Sequence, residues 1–129
     1  MTWRIGASTG AWVGHDIGAA LGAIEDAGIR AIEVGTPPGH FDPWNTDALR
    51  ALSARLVSSG IAPVSIHAPF GGLLDLSDPN PHHRYAAVGG IVAAASALRE
   101  LGGKIVVVHT TDVPRNGEDV TRRLADCTS

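Results

Sequence analysis

The amino-acid sequence predicts an α/β fold in which strand–helix units follow one another along 129 residues. Short runs rich in Ile and Val alternate with longer segments whose apolar residues recur at helical spacing. This order is typical of parallel sheets with crossover helices. A glycine also ends three of the helical segments and leads each time into the next strand: Gly28, Gly60 and Gly102.

The first two units are short. A strand at residues 4–7 precedes a helix that ends at Gly28 and has the apolar stripe Ile17, Leu21 and Ile24. The second unit begins with a strand at residues 30–34. Asn45 or Thr46 caps its helix, which ends at Gly60 and has the apolar stripe Leu49, Leu52 and Leu56.

The third and fourth units are less regular. A strand at residues 64–66 and a polar, Pro-rich loop at residues 75–81 lead into a long helix that ends at Gly102. We expect its buried side to consist of Tyr85, Val88, Ile91, Val92, Ala95 and Leu98. The fourth strand is predicted at residues 104–108, and residues 118–126 show the start of a helix with the stripe Val120 and Leu124. Residues 1–129 thus form one partial domain of about four units.

Composition restricts the classes of function. With 44% hydrophobic residues the chain can build a core, and its formal charge of -3 without a Lys/Arg run argues against a nucleic-acid partner. The single cysteine, Cys127, excludes an internal disulfide and fits a reducing compartment. No apolar stretch reaches the roughly 18 residues of a membrane span. We therefore expect a cytoplasmic protein without a membrane partner.

Two histidines occupy comparable positions at predicted strand ends. His67 lies seven residues beyond Gly60, and His109 lies seven residues beyond Gly102. Glu33 lies two residues deeper on the second strand, which returns its side chain to the same face. Because the carboxyl ends of parallel strands gather catalytic groups, we expect these three side chains to converge at one mouth of the sheet.

The positions of these side chains suggest candidate metal ligands and candidate substrate-binding residues. An imidazole can ligate a divalent ion through one nitrogen while the other is held by a carbonyl or carboxylate, so His67 and His109 are candidate metal ligands. Glu33, His40 and Trp12 are candidates for substrate binding. The alternatives are an arginine-paired carboxylate for Glu33, a surface histidine for His40 and an aromatic plug at the rim for Trp12.

Other motifs are absent or weak. Adjacent His82 and His83 do not predict a metal site, because successive helical side chains point about 100° apart. Asp78 is predicted in a turn at the helix start, and Arg84 either meets a substrate anion or is exposed. The sequence contains no phosphate-binding loop, dinucleotide fingerprint, nucleophile elbow or cysteine pair for a zinc ribbon.

Four stretches carry a resemblance to a known superfamily: residues 27–34, 65–70, 74–78 and 101–109. They resemble the xylose isomerase-like barrels, which include sugar phosphate isomerases and epimerases and the endonuclease IV type of apurinic/apyrimidinic endonuclease. The resemblance spans residue 5 to about residue 112. It implies a TIM-type (β/α) barrel, truncated here to about four of its eight units.

The resemblance also implies chemistry. His67 and His109 match histidines that bind one ion of a zinc cluster in the endonuclease branch and line the substrate pocket in many single-metal isomerases. Asp75 stands where the endonuclease branch typically has asparagine, which favours the isomerase side. The implied reaction is metal-polarised proton transfer on a keto sugar or sugar phosphate, with Mn, Mg, Co or Zn as cofactor. The implied acid and base are glutamates on strands five and eight.

Three interpretations follow. The first is the N-terminal half of a sugar phosphate isomerase or epimerase, the second is a zinc-cluster endonuclease, and the third is an inactive half-barrel or interaction module. The acid–base glutamates would lie beyond these 129 residues, so we expect the chain alone to be inactive. We also expect its open sheet edge to cause homodimerisation, aggregation or loose packing.

Overall fold

The structure, a computed structural model, describes residues 4–111. In this part of the chain, four parallel strands form one sheet in sequence order. The strands are β1 (Ala7–Ser8), β2 (Ala31–Val34), β3 (Ala62–His67) and β4 (Ile105–Val107). The helices are α1 (Ile17–Asp26), α2 (Thr46–Ser59) and α3 (Pro81–Leu101), with a short 3-10 turn at Thr9–Ala11. The predicted α/β class is confirmed. Cys127 and the predicted helix at residues 118–126 lie outside the described residues.

Strand boundaries differ most at the start of the chain. The strand predicted at residues 4–7 begins only at Ala7, because only Ala7 and Ser8 pair with β2, opposite Ile32 and Glu33. Strand β3 is longer than predicted and reaches His67, whereas β4 ends one residue earlier than predicted, at Val107.

The helix ends follow the predicted capping. The Asn45 side chain accepts hydrogen bonds from the backbone N–H groups of Asp47 and Ala48 at 3.0 Å, which starts α2. Gly60 ends α2 in the left-handed conformation, with φ +64°. The Asn80 side chain accepts one hydrogen bond, from His82 N at 3.0 Å, and caps α3, which Gly102 ends with φ +86°.

The predicted buried side of α3 is largely wrong. Tyr85 is 76% exposed and Val92 is 59% exposed, and Val88 and Ala95 are exposed as well. The helix instead buries mostly small residues: Ala87, Gly90, Ala94, Ala97 and Leu98. Small side chains allow α3 to approach the rest of the molecule closely, and a Cβ added at Gly90 would lie 3.5 Å from the Trp44 ring. Of the predicted set, Leu98 is buried and Ile91 packs against the core.

The core lies between the sheet and the helices. Ile32, Val34 and Ile66 point from the strands into this layer and are at most 1% exposed. They pack with the helical residues Leu21, Ile24, Leu52, Leu56, Ala94 and Leu98. Since strand side chains alternate between faces, Glu33 lies on the opposite, inner face of the sheet.

A register shift in β3 determines which residues share that inner face. Ala31 pairs with Ala62, but Glu33 pairs with Ser65, so β3 contains one extra residue. Such a bulge reverses the alternation beyond it. As a result Ser65, and His67 two residues later, lie on the same face as Glu33.

Candidate functional site at the carboxyl ends of the strands

Glu33 lies on the inner face, between two serine hydroxyls. Ser8 Oγ and Ser65 Oγ each donate a hydrogen bond to the Glu33 carboxylate at 3.1 Å. Within the described residues, its hydrogen-bond partners are thus these neighbouring-strand hydroxyls and not the arginine considered from the sequence. Two donors from flanking strands offset part of the desolvation cost of the half-buried carboxylate.

His67 and His109 come together at the carboxyl ends of β3 and β4. Their ring centroids are 4.8 Å apart, with the ring planes at 60°. His67 Nδ1 lies 3.1 Å from the Ala68 carbonyl oxygen, which can only accept, so Nδ1 carries the proton. This tautomer leaves His67 Nε2 with a lone pair for a metal ion or a hydroxyl donor.

An aromatic ring completes this cluster. Phe70 stacks on His109, with centroids 4.0 Å apart and an interplanar angle of 26°, and its centroid lies 4.9 Å from that of His67. Phe70 was not among the site residues predicted from the sequence. Its position three residues after His67, in the loop that leaves the strand end, was the available signal.

The strand register shows that His67 and His109 do not occupy equivalent positions, contrary to the prediction from the sequence. His67 pairs with Val107, so His109 lies two residues beyond the point opposite His67, past the end of β4. Ala68 N donates to the Val107 carbonyl at 2.9 Å and continues this pairing. Stagger of this kind accompanies the tilt of strands in a barrel-like sheet. The two rings are nevertheless in contact across this stagger, as their centroid distance of 4.8 Å shows.

The expected convergence of all three side chains is only partly realised. Glu33 stands in the row of Ser65, two residues below His67. Among residues 4–111, no three His, Cys, Asp or Glu side chains are arranged to hold a metal ion. The described residues therefore supply two imidazole donors of a type suited to divalent metals, fewer than the three or four of a zinc site.

A pocket of about 440 Å³, a size within the usual range of small-molecule sites, is lined by His67 but not by His109. The other lining residues include Ser8, Thr36, Pro38, Phe70 and Leu74. Thr36 Oγ1 donates to the His67 carbonyl at 2.8 Å and joins the end of β2 to that of β3.

Two glycines form the floor of the mouth. A Cβ added at Gly35 would lie 2.5 Å from Gly10 Cα, so the backbones after β1 and β2 touch only because these residues are glycines. Gly35 N also donates to the buried Thr9 Oγ1 at 2.8 Å. This contact was not predicted from the sequence, although Gly35 directly follows one predicted strand and Gly10 lies three residues after another.

His40 lies elsewhere than expected. It neither reaches the mouth nor lies on the surface, since it is only 5% exposed. Its Nδ1 donates to the His15 carbonyl at 2.7 Å, and it lines a cleft of about 470 Å³ between α1 and α2. The loop from residues 36 to 45 folds back against α1, which buries the imidazole.

Trp12 is half-buried and packs against the core, as expected of an aromatic plug. Val13 and Phe70, and not Trp12, line the mouth pocket. The interpretation of Trp12 as a wall for a sugar ring therefore receives no support from its position.

The loop before α3 is held by its own polar groups. Ser77 N and Oγ donate to the buried Asp75 at 2.8 Å, and the hydroxyls of Ser77 and Thr111 are hydrogen-bonded at 2.8 Å. The last contact ties this loop to the segment two residues beyond His109. His83 Nδ1 lies 3.0 Å from an Asp78 carboxylate oxygen.

Parallel strands, outer helices and polar groups gathered at the carboxyl ends define a (β/α)-barrel type of protein. The chain belongs to the xylose isomerase-like TIM barrel family, whose model matches residues 21–128. A comparison with curated proteins found no match. Among the described residues, no helix has both the length and the apolarity needed to cross a membrane.

Solved structures share the fold at low identity. They include a xylose isomerase domain protein from Planctomyces limnophilus (19% identity, TM-score 0.62) and an L-ribulose 3-epimerase (20%, 0.65). A third is a 3-keto-D-glucoside 4-epimerase from E. coli (17%, 0.68). Each match covers 98% of this chain but 48%, 44% and 49% of the respective structure. The chain thus spans about half the length of these proteins.

Proposed function

We propose that this chain forms part of a metal-dependent sugar isomerase or epimerase that acts on a ketose or a keto-sugar phosphate. The observation that carries the proposal is the ring cluster of His67, Phe70 and His109 beside the pocket at the carboxyl ends of β3 and β4. Similar structures include an L-ribulose 3-epimerase and a D-psicose 3-epimerase with D-tagatose, which supports a ketose as substrate.

The side chains at the mouth have distinct proposed roles. The Phe70 face packs against the apolar side of the sugar ring, while His67 Nε2 accepts from a hydroxyl or ligates the metal. His109 is held by stacking on Phe70 and provides the second imidazole. A divalent ion of the Mn, Mg, Co or Zn type would polarise the substrate carbonyl. Glu33 lies below, where its carboxylate can accept from a hydroxyl that reaches the inner face.

The residue type at position 75 supports the sugar interpretation over a zinc-cluster endonuclease, because the resemblance places an asparagine there in the endonuclease branch. Asp75 is only 4% exposed, and both the backbone and the hydroxyl of Ser77 donate to its Oδ1. In this arrangement Asp75 stabilises the loop before α3.

The test measures turnover on the longest polypeptide in which these 129 residues occur, because the resemblance places the acid–base glutamates on strands five and eight. D-Tagatose, L-ribulose, D-psicose and their phosphates are incubated in D₂O with each metal, and NMR follows deuterium incorporation beside the carbonyl. We expect His67→Ala and His109→Ala to lower kcat/KM at least about 100-fold, and exposed His82→Ala to have no effect.

Absence of exchange with every sugar and metal would contradict the proposal. Metal-dependent cleavage of an abasic duplex by the same preparation would establish the endonuclease alternative instead.

A further inference from the structure

We propose that the cleft between α1 and α2 is a second binding site, which takes a small protonated amine with an apolar body. The cleft has a volume of about 470 Å³ and lies in the helical layer outside the sheet. Of the described residues that line it, none also lines the mouth pocket. This site is therefore independent of the sugar chemistry proposed for the mouth, and it lies away from the inner face of the sheet.

The lining of the cleft is mainly apolar. Leu21 and Leu52 are buried, and Ile17 and Ala48 are half-buried. The first two belong to the hydrophobic core, and the other two pack against it. Because packed core side chains hold their positions, the cleft is preformed and suits an apolar ring or chain.

His40 contributes a hydrogen-bond acceptor that has no donor. Its Nδ1 donates to the His15 carbonyl at 2.7 Å, so in the neutral ring Nε2 carries a lone pair. Nε2 is buried and has no hydrogen-bond partner among residues 4–111. Buried polar atoms are normally paired, and an unpaired one destabilises the fold. An N–H group of a ligand that enters the cleft and reaches Nε2 provides the missing donor.

The charges at the cleft favour a cation over an anion. Asp42 is exposed in the lining, accepts from the Trp44 backbone N–H at 2.9 Å, and forms no ion pair within the described part of the chain. Arg55 also lines the cleft, but it is already paired with Glu25. The positive charge is thus neutralised and the negative charge is not. A protonated amine can donate to both the Asp42 carboxylate and His40 Nε2, whereas a carboxylate or phosphate dianion can donate to neither.

Calorimetric titration of phenethylamine, on the longest polypeptide in which these residues occur, tests the site. Phenethyl alcohol is the matched neutral probe. We expect a dissociation constant of about 1 mM or below for the amine and weaker binding of the alcohol. Asp42→Asn should weaken the amine roughly two- to fivefold, as expected for an exposed charge pair, and leave the alcohol unaffected. Nitrogen-15 NMR of histidine-labelled protein should show a shift of the His40 Nε2 signal when the amine binds.

Filling the cleft separates binding at this site from binding elsewhere. Ala51 is exposed and lines the cleft, whereas Ala54, three residues further along α2, is exposed and does not line it. Ala51→Phe should weaken amine binding at least about tenfold, because the new ring occupies the space of the ligand. Ala54→Phe is the control and should bind as the wild type does. Circular dichroism checks that both variants are folded.

Absence of amine binding at millimolar concentrations, or equal binding by Ala51→Phe and the wild type, would overturn the proposal. An alcohol that binds as tightly as the amine would overturn it as well, since the cleft would then not select a cation. An unmoved His40 Nε2 signal at saturation would contradict the assigned contact. Amine binding without any sugar exchange would support this site and reject the function proposed for the mouth.

Discussion

At the residue scale, the mouth of the sheet shows how backbone contacts prepare a side chain for chemistry. The Ala68 carbonyl fixes the tautomer of His67, and Thr36 holds the His67 backbone from the neighbouring strand. His109 depends instead on stacking with Phe70 and on the hydrogen bond that ties Thr111 to Ser77. The two imidazoles are therefore positioned by different loops, although they end neighbouring strands.

The 129-residue chain should bind zinc weakly. Two imidazoles provide fewer donors than the three or four of established zinc sites, so we expect less than the roughly 10 kcal/mol of a structural site. Calorimetric titration of zinc, manganese and cobalt measures this, and His67→Ala with His109→Ala should abolish it. Tight binding that survives both replacements would show that the metal binds elsewhere.

Loss of His40 should destabilise the fold even though it lies away from the mouth. His40→Ala removes the hydrogen bond to the His15 carbonyl and empties a buried position, which should cost about 2 kcal/mol of unfolding free energy. Urea denaturation at fixed protein concentration measures the change. His82→Ala, at an exposed position, should leave stability unaltered. Equal stability of both variants would contradict the buried placement.

At the element scale, the parts that the sequence predicted well are those governed by local chemistry. Asn45, Gly60 and Gly102 bound helices as predicted, because capping depends on a few neighbouring residues. The buried side of α3 was mispredicted because the helix has two apolar stripes. The stripe with the larger residues, including Tyr85 and Val92, was chosen, but the sheet accepts the smaller one.

In the candidate site, too, the features set by local sequence were predicted and those set by tertiary packing were not. Counting seven residues from Gly60 and from Gly102 placed both histidines at one end of the sheet. This succeeded because the alternation of side chains along a strand and the direction of the strand both follow from the local sequence pattern. Counting did not reveal the stagger between His67 and His109, since the pairing of β3 with β4 is a tertiary property. The burial of His40 by its own loop was hidden for the same reason.

Two adjacent alanines in α3 test which side of the helix is packed. Ala94 is fully buried, whereas Ala95 is exposed. Ala94→Leu should reduce stability by about 1–3 kcal/mol through overpacking, and Ala95→Leu should be nearly neutral. Thermal or urea unfolding of the two variants compares the same substitution at successive positions. The reverse order would restore the side of α3 predicted from the sequence.

Replacing Gly35 tests the close contact between the segments that follow β1 and β2. Gly35→Ala places a methyl group 2.5 Å from Gly10 Cα, so we expect a loss of about 1–3 kcal/mol and a distorted mouth pocket. Gly22→Ala in α1 is the control, because an added Cβ there meets nothing within 4 Å. That change should stabilise the helix by about 0.5–1 kcal/mol. If both replacements changed the free energy of unfolding in the same direction, the close contact would be contradicted.

At the scale of the whole fold of residues 4–111, helices cover one face of the sheet, whereas hydrophobic side chains on the other face are exposed. Three helices cover the outer face and bury Ile32, Val34 and Ile66 almost entirely. The inner face leaves Ile105 and Val64 largely in solvent, beside the Glu33 carboxylate. A fold of this kind obtains its hydrophobic stabilisation from one side only, so its stability should depend on what covers the other side.

Thermal unfolding at several protein concentrations should reveal this dependence. If the homodimerisation expected from the sequence covers this face, mass action raises the Tm of the 129-residue chain with concentration. Ile105→Lys should lower the Tm and remove its concentration dependence. The same variant should bind a hydrophobic dye, because the uncovered face then remains accessible. Val92→Lys should retain the wild-type dependence. A monodisperse monomer with a cooperative transition above about 50 °C, independent of concentration, would contradict the expectation, because that behaviour is ordinary for a self-sufficient mesophilic domain.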